Sequence, residues 1–252
     1  MFESLASCFT FRCSALLNMT RIAVTFALPA ESSEFLHRLR NKSRADRNGI
    51  RAVRGTIGNR EIEVMHTGVG EKICRERIEK FLEDAQFHIL ISTGFAGALS
   101  NRLRVNDLLL AQNFSTVDLK QAQESLSALS VRAADLLTLP APIDSREERE
   151  RIARESGAAA VDMETEFIAR ACATHAVPLL SLRVVTDTPL ESFPAPPNVL
   201  FDIEQQRTHM AALATFFLAH PNRVPRLVQF AKRIVRARKI LSNALVAILR
   251  EL

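Results

Sequence analysis

The chain has 252 residues, 47% hydrophobic and 24% charged, enough for one α/β domain with a full core, or such a domain with an appendage. Its formal charge of +5 comes from one end: Gln205 to Arg250 holds nine basic residues and no Asp or Glu. Setting those nine aside leaves 24 basic against 28 acidic residues, a balance of −4, which excludes a basic nucleic-acid-binding body.

With no Trp or Tyr, aromatic contacts must come from Phe or His. Cys8, Cys13, Cys74 and Cys172 form no CxxC or Cys/His cluster. Neither a zinc site nor a disulfide framework is expected, and a reducing cytosol suits the chain. No apolar run reaches the roughly 18 residues that span a bilayer. Residues 1–18 lack the basic and apolar regions of a signal peptide and are read as an N-terminal extension.

In chain order, Arg21–Leu28 is a short apolar run and predicts a buried strand. A helix follows from Glu31 to Leu39. Arg51–Ile57 and Glu61–His66 flank Gly58-Asn59 and predict a hairpin. Thr67–Gly70 opens a helix to about Glu83. Phe87–Thr93 predicts a second buried strand, ending in a glycine-rich turn at Gly94-Phe95-Ala96-Gly97. Asp107–Gln112 is a further strand, and residues 113–132 are weakly patterned. Ala134–Leu139 predicts one strand, and Ser145–Glu155 a charged surface helix with Ser145 as its cap. Ala158–Asp162 is a strand, Glu164–His175 a helix, and Pro178–Val185 a last buried strand. The alternation predicts a three-layer α/β/α fold around a central mixed sheet. Residues 19–220 make the domain and 221–252 a basic amphipathic helical tail. In that tail Leu227, Phe230, Ala231, Ile234, Leu241, Leu245 and Ile248 fall at helical spacing, with Lys232, Arg233, Arg236 and Lys239 opposite.

Three carboxylates, Glu31, Glu164 and Asp187, stand at the ends of predicted strands, where α/β sheets bind ligands. Two glycine-rich turns, Thr67–Gly70 and Thr93–Gly97, are expected beside them. Each acid alone fits an ordinary helix-start or turn residue.

Taken together, RIAVTFALPAE, HTGVGEKICRERIEKFLE, ISTGFAGALSNRLRVNDLLLAQ and AVDMETEFIARACATHAVPLLSLRVVTD resemble the nucleoside phosphorylase/nucleosidase superfamily. The most specific piece is VDMET followed by the strand ending Val185-Thr186-Asp187. The resemblance implies that Asp187 protonates the leaving purine and Glu31 activates water. It implies that Glu164 holds the ribose hydroxyls, with Met163 on the sugar, and that Ala96 and Gly97 lie beside base and sugar. Asp162, Phe95 and Val69 complete the implied contacts. No metal or organic cofactor is implied, and relatives are commonly homo-oligomers. An oxocarbenium-like transition state needs an acid at the base and a base for water, each contributing about 100-fold to 10,000-fold. Phosphorolytic relatives have a serine where this chain has Phe95, and an arginine where it has Ser92. Water is therefore the expected nucleophile, with phosphorolysis, or a non-catalytic binding or membrane-interaction module, as alternatives. Phe95 also departs from the serine of methylthioadenosine-type nucleosidases. HPNRVPRLVQFAKRIVRARKIL and DLLTLPAPIDSREERERIARESGAAAVDMET resemble hopanoid-associated nucleosidases, which release adenine from a lipid-linked nucleoside. That resemblance implies an apolar group at the ribose 5′ carbon and a peripheral contact of the tail with the inner membrane face.

Overall fold

The computed structural model describes residues 20–191, 193–201, 206 and 210–252. The extension at residues 1–18, with Cys8 and Cys13, lies outside them. The strands are β1 Arg21–Phe26, β2 Arg40–Arg47, β3 Ile50–Ile57, β4 Arg60–His66, β5 Ile89–Ala98, β6 Leu108–Ala111, β7 Val131–Ala134, β8 Leu136–Thr138, β9 Ala160–Asp162 and β10 Leu179–Asp187. The helices are α1 Pro29–Leu36, α2 Glu71–Leu82, α3 Leu119–Ser125, α4 Arg146–Ser156, α5 Thr165–Thr174, α6 Pro197–Leu200, α7 Met210–Ala219 and α8 Val224–Glu251.

The strands form one mixed sheet in the order β2-β3-β4-β1-β5-β10-β6-β7, with β9 pairing β5 and β8. The centre is parallel: β1 lies between β4 and β5, and β10 pairs β5. Helices cover both faces, so β1 and β10 carry near-continuous apolar runs. On one face α1, α3 and α8 pack on Val24, Ile91, Leu110 and Leu182. On the other, α2 and α5 bury Ile78, Phe81, Ile168 and Cys172 against Met65 and Leu90. Cys74 and Cys172 are buried free thiols, as core residues should be.

Four expectations need correction. The Thr93–Gly97 segment is no strand-to-helix turn. β5 runs on through it, because Phe95 and Ala96 pair with Val184 and Val185 of β10, and Gly97 pairs with Val161 of β9. Ala134–Leu139 breaks at Asp135 into β7, which pairs β6, and β8, which pairs β9. The first helix ends at Leu36, and the chain then enters β2, an edge strand with no apolar run. Charged side chains such as Arg40, Lys42 and Arg44 keep that edge from pairing with other chains. Finally, α4 carries one fully buried side chain, Arg149, amid an otherwise charged, mostly exposed sequence.

The apolar residues of α8 divide. Leu241, Leu245 and Ile248 are buried in the core, whereas Leu227, Phe230 and Ile234 are only partly covered and Ala231 is exposed.

Candidate active site

The carboxyl ends of β1, β5 and β10 open into a pocket of about 200 Å³ lined by Glu31, Glu164 and Asp187 together. The walls include Val69, Phe95, Ala96, Gly97, Asp162 and Met163, so all nine residues of the implied site border one cavity. Ala141, Pro142 and Ile143, from the segment before α4, line it too, and Phe193, Phe230 and Ile234 form an apolar outer wall.

Glu31 sits in the first turn of α1, which opens with Pro29, and its Oε2 accepts from the backbone N–H groups of Ala27 and Leu28 at 3.0 and 3.3 Å. Burial dominates those bonds and pushes the Glu31 carboxyl up to about 7. A carboxyl poised near neutrality is suited to taking a proton from water.

Glu164 stands at the N-terminal boundary of α5, and its Oε1 accepts from the N–H of Gly70 at 3.3 Å. Gly70 precedes α2 at φ 89°, a left-handed conformation that favours glycine. Burial, then the charges of Asp162 and Glu31, hold the Glu164 carboxyl well above its ordinary value.

Asp162 faces the pocket, yet its carboxylate is engaged elsewhere. It accepts from Thr138 Oγ1 at 2.8 Å, from the Thr165 backbone and hydroxyl, and from Arg183 Nε at 3.0 Å. Arg183 also donates to Ser92 Oγ at 2.8 Å. Ser92 thus holds an arginine supplied by the neighbouring strand. A charge inside the run LLSLRVV was a legible signal, since arginine is seldom fully buried without a partner.

Behind Glu31 lies a second, smaller chamber of about 10 Å³, bordered by Glu31, Glu164, Arg183, Thr67 and Thr93. Thr93 Oγ1 has no hydrogen-bond partner among the described residues although it is buried. The volume suits one water, and the polar border offers it several partners.

Asp187 ends β10 with 3% of its surface exposed. Its Oδ1 accepts from Thr186 Oγ1 at 2.9 Å and its Oδ2 from Arg149 Nη2 at 2.5 Å. Burial raises its carboxyl above the ordinary value, while Arg149 pulls the other way. Arg149 escaped the sequence because SREERERIAR offers several equivalent arginines; only the tertiary path of α4 distinguishes one. Among the described residues no group of three or more His, Cys, Asp or Glu is arranged to hold a metal ion.

A family model described as the phosphorylase superfamily matches residues 119–219. The fold matches a 5′-methylthioadenosine/S-adenosyl homocysteine nucleosidase from Campylobacter jejuni at 17% identity and TM-score 0.70, covering 92% of this chain and 100% of that one. It matches the Streptococcus pneumoniae nucleosidase solved with a transition-state inhibitor at 20% identity and TM-score 0.67, covering 92% and 99%. A futalosine hydrolase from Helicobacter pylori matches at 18% identity and TM-score 0.68, covering 93% and 100%.

Proposed function

We propose that this chain, whose fold is that of the nucleosidases in the phosphorylase superfamily, hydrolyses the N-glycosidic bond of a purine nucleoside, with adenine as the leaving base. The observation that supports this reading best is one pocket that holds Asp187 together with Glu31, whose carboxyl burial raises to about 7. A carboxylate at the attacking position repels phosphate, and Phe95 and Ser92 stand where phosphorolytic relatives hold it, so hydrolysis is favoured over phosphorolysis.

The chemistry follows from the residues. Asp187 gives its proton to the purine as the bond from sugar to base breaks, and the electron pair leaves with the base. The sugar becomes oxocarbenium-like, and the carboxylates of the pocket stabilise that charge. Water adds to the anomeric carbon and loses its proton to Glu31. Glu164 accepts from the ribose hydroxyls in this reading, with Met163 against the sugar; both line the pocket. Val69, Phe95, Ala96 and Gly97 shape the remaining wall. The test is a panel of adenine and hypoxanthine nucleosides that differ at the 5′ carbon. The reading predicts free base from at least the adenine members; base release from none of the panel overturns it.

A second reading concerns the 5′ group. Phe193, Phe230 and Ile234 make the outer pocket wall apolar. Leu190, Leu218, Val224, Val228 and Val235 are large exposed hydrophobics, at 67%, 82%, 40%, 48% and 45% exposure. The three valines lie within about 40° of one another on α8. Arg226, Lys232, Arg236 and Lys239 are exposed on the same helix. Two copies joined symmetrically through this face would set cation against cation, since isologous contacts match a patch with itself. We therefore assign the face to anionic lipid headgroups, and the substrate's 5′ group to a lipid-like chain. No helix among the described residues is long and apolar enough to cross a membrane, so the contact would be peripheral. Co-sedimentation with phosphatidylglycerol vesicles at low salt is expected, and Leu218→Glu with Val228→Glu should abolish it. Failure of the unaltered protein to bind these vesicles, or undiminished binding by the double variant, refutes the assignment.

A further inference from the structure

Arg149 is the largest fully buried side chain among the described residues, with 1% of its surface exposed. The neighbouring arginines of α4 are ordinary by contrast. Arg146 and Arg151 make exposed pairs with Glu150 and Glu155, one turn on. A buried guanidinium needs a carboxylate and hydrogen-bond acceptors to offset its lost hydration. Arg149 has both. Its Nη1 donates to the Ala98 carbonyl at 2.8 Å, and its Nη2 to the Ile143 carbonyl at 2.7 Å and to Asp187 Oδ2 at 2.5 Å. The two carbonyls clamp the guanidinium between the end of β5 and the segment before α4.

The surroundings are shaped for that pair. A Cβ on Gly97 would lie 2.8 Å from Asp187 Oδ2 and 3.0 Å from Arg149 Nη1, so only glycine leaves room. Ser145 fixes the start of α4 by accepting from the Glu148 N–H at 3.0 Å. Gly157 ends the helix at φ 72°. The helix therefore delivers one cation to one carboxylate 38 positions along the chain.

We propose that Arg149 is a positioning residue for glycosidic cleavage, fixing Asp187 against the base and stabilising the carboxylate that forms as the proton leaves. The inference rests on Asp187 being the acid of the proposed function. In the step, the Asp187 O–H bond breaks and its proton passes to the purine, while the bond from anomeric carbon to base breaks with its electron pair on the base. The negative charge left on Asp187 appears beside a cation already in place, which is where preorganised charge lowers a barrier. Without that cation, burial alone would hold the proton too tightly for an efficient donor. Arg233 of α8, itself paired with Glu191 at 3.3 Å, also acts on Asp187. Glu31 and Glu164, from the starts of α1 and α5, face the same pocket.

The test is the pH–rate profile of Arg149→Met, Arg149→Gln and Arg149→Lys beside the unaltered enzyme, on whichever nucleoside it turns over best. Loss of the cation in Met or Gln favours protonated Asp187, so the falling alkaline limb should move up by a unit or more. kcat should drop about 100-fold to 1,000-fold, by analogy with loss of one oxyanion donor, with KM changed far less. Arg149→Lys keeps a charge and should keep the limb. Arg149→Gln retains hydrogen-bond donors and serves if the Met variant does not fold. An unmoved limb in a folded Gln or Met variant overturns the proposal, as does unchanged kcat, or a change confined to thermal stability. Asp187→Asn separates the two claims. If it is inactive while Arg149→Gln behaves like the unaltered enzyme, only this inference fails; if it is active, the acid assignment fails with it.

Discussion

Glu31 and Asp187 differ in what surrounds them, and the roles proposed for them rest on that difference. Glu31 is raised to about 7 by burial against backbone donors, while Asp187 is buried against a guanidinium. As a base, Glu31 must be ionised, so kcat/KM should rise with pH through about 7 and then level until the acid limb begins. The same shift bears on stability. A carboxyl raised from 4.5 to about 7 in the fold contributes stability at low pH that is lost as pH climbs through 7, about 3 kcal/mol in full. Glu31→Gln keeps an acceptor for Ala27 and Leu28 but cannot ionise. Its melting temperature should exceed that of the unaltered protein at pH 8 and converge on it near pH 4, while base release is nearly lost. Equal melting at pH 8 would contradict the assigned shift. Asp187→Asn should likewise abolish turnover with the fold intact, measured by base release and circular dichroism together. These acids were legible in the sequence because each ends an apolar strand or opens a helix. Arg149 was not singled out, for its partners are brought near only by folding, and Arg183 was passed over although its charge inside LLSLRVV marked it.

At the level of elements, α8 joins two environments. Its second half is core, since Leu241 and Leu245 pack on the sheet face under α1. Leu241→Ala or Leu245→Ala should each cost about 2–5 kcal/mol in a denaturant titration. A loss below about 1 kcal/mol would mean the helix is an appendage. Deleting residues 222–252 removes those core residues and so cannot isolate a membrane contact; surface substitutions are needed. The apolar periodicity of α8 was readable, but periodicity says nothing about which neighbour covers which half. β2 was not readable, because exposed edge strands need no apolar pattern. The glycine-rich end of β5 suggested a turn because local preference favours one. Pairing with β9 and β10 overrides it, and so holds Phe95, Ala96 and Gly97 straight along the pocket wall.

Across the whole molecule, the alternation of strands and helices in the second half made the layered architecture legible from sequence, and the resemblance supplied the position of the site. The charge asymmetry also gains a location. A body of balance −4 carries a basic segment, and part of that segment borders the pocket mouth through Phe230 and Ile234. The proposed nucleophile is water activated by Glu31. The most direct measurement is to identify the sugar product by mass spectrometry from a nucleoside that the enzyme turns over, with and without saturating phosphate. The account predicts free sugar at the same rate in both. A sugar 1-phosphate as the main product would contradict it.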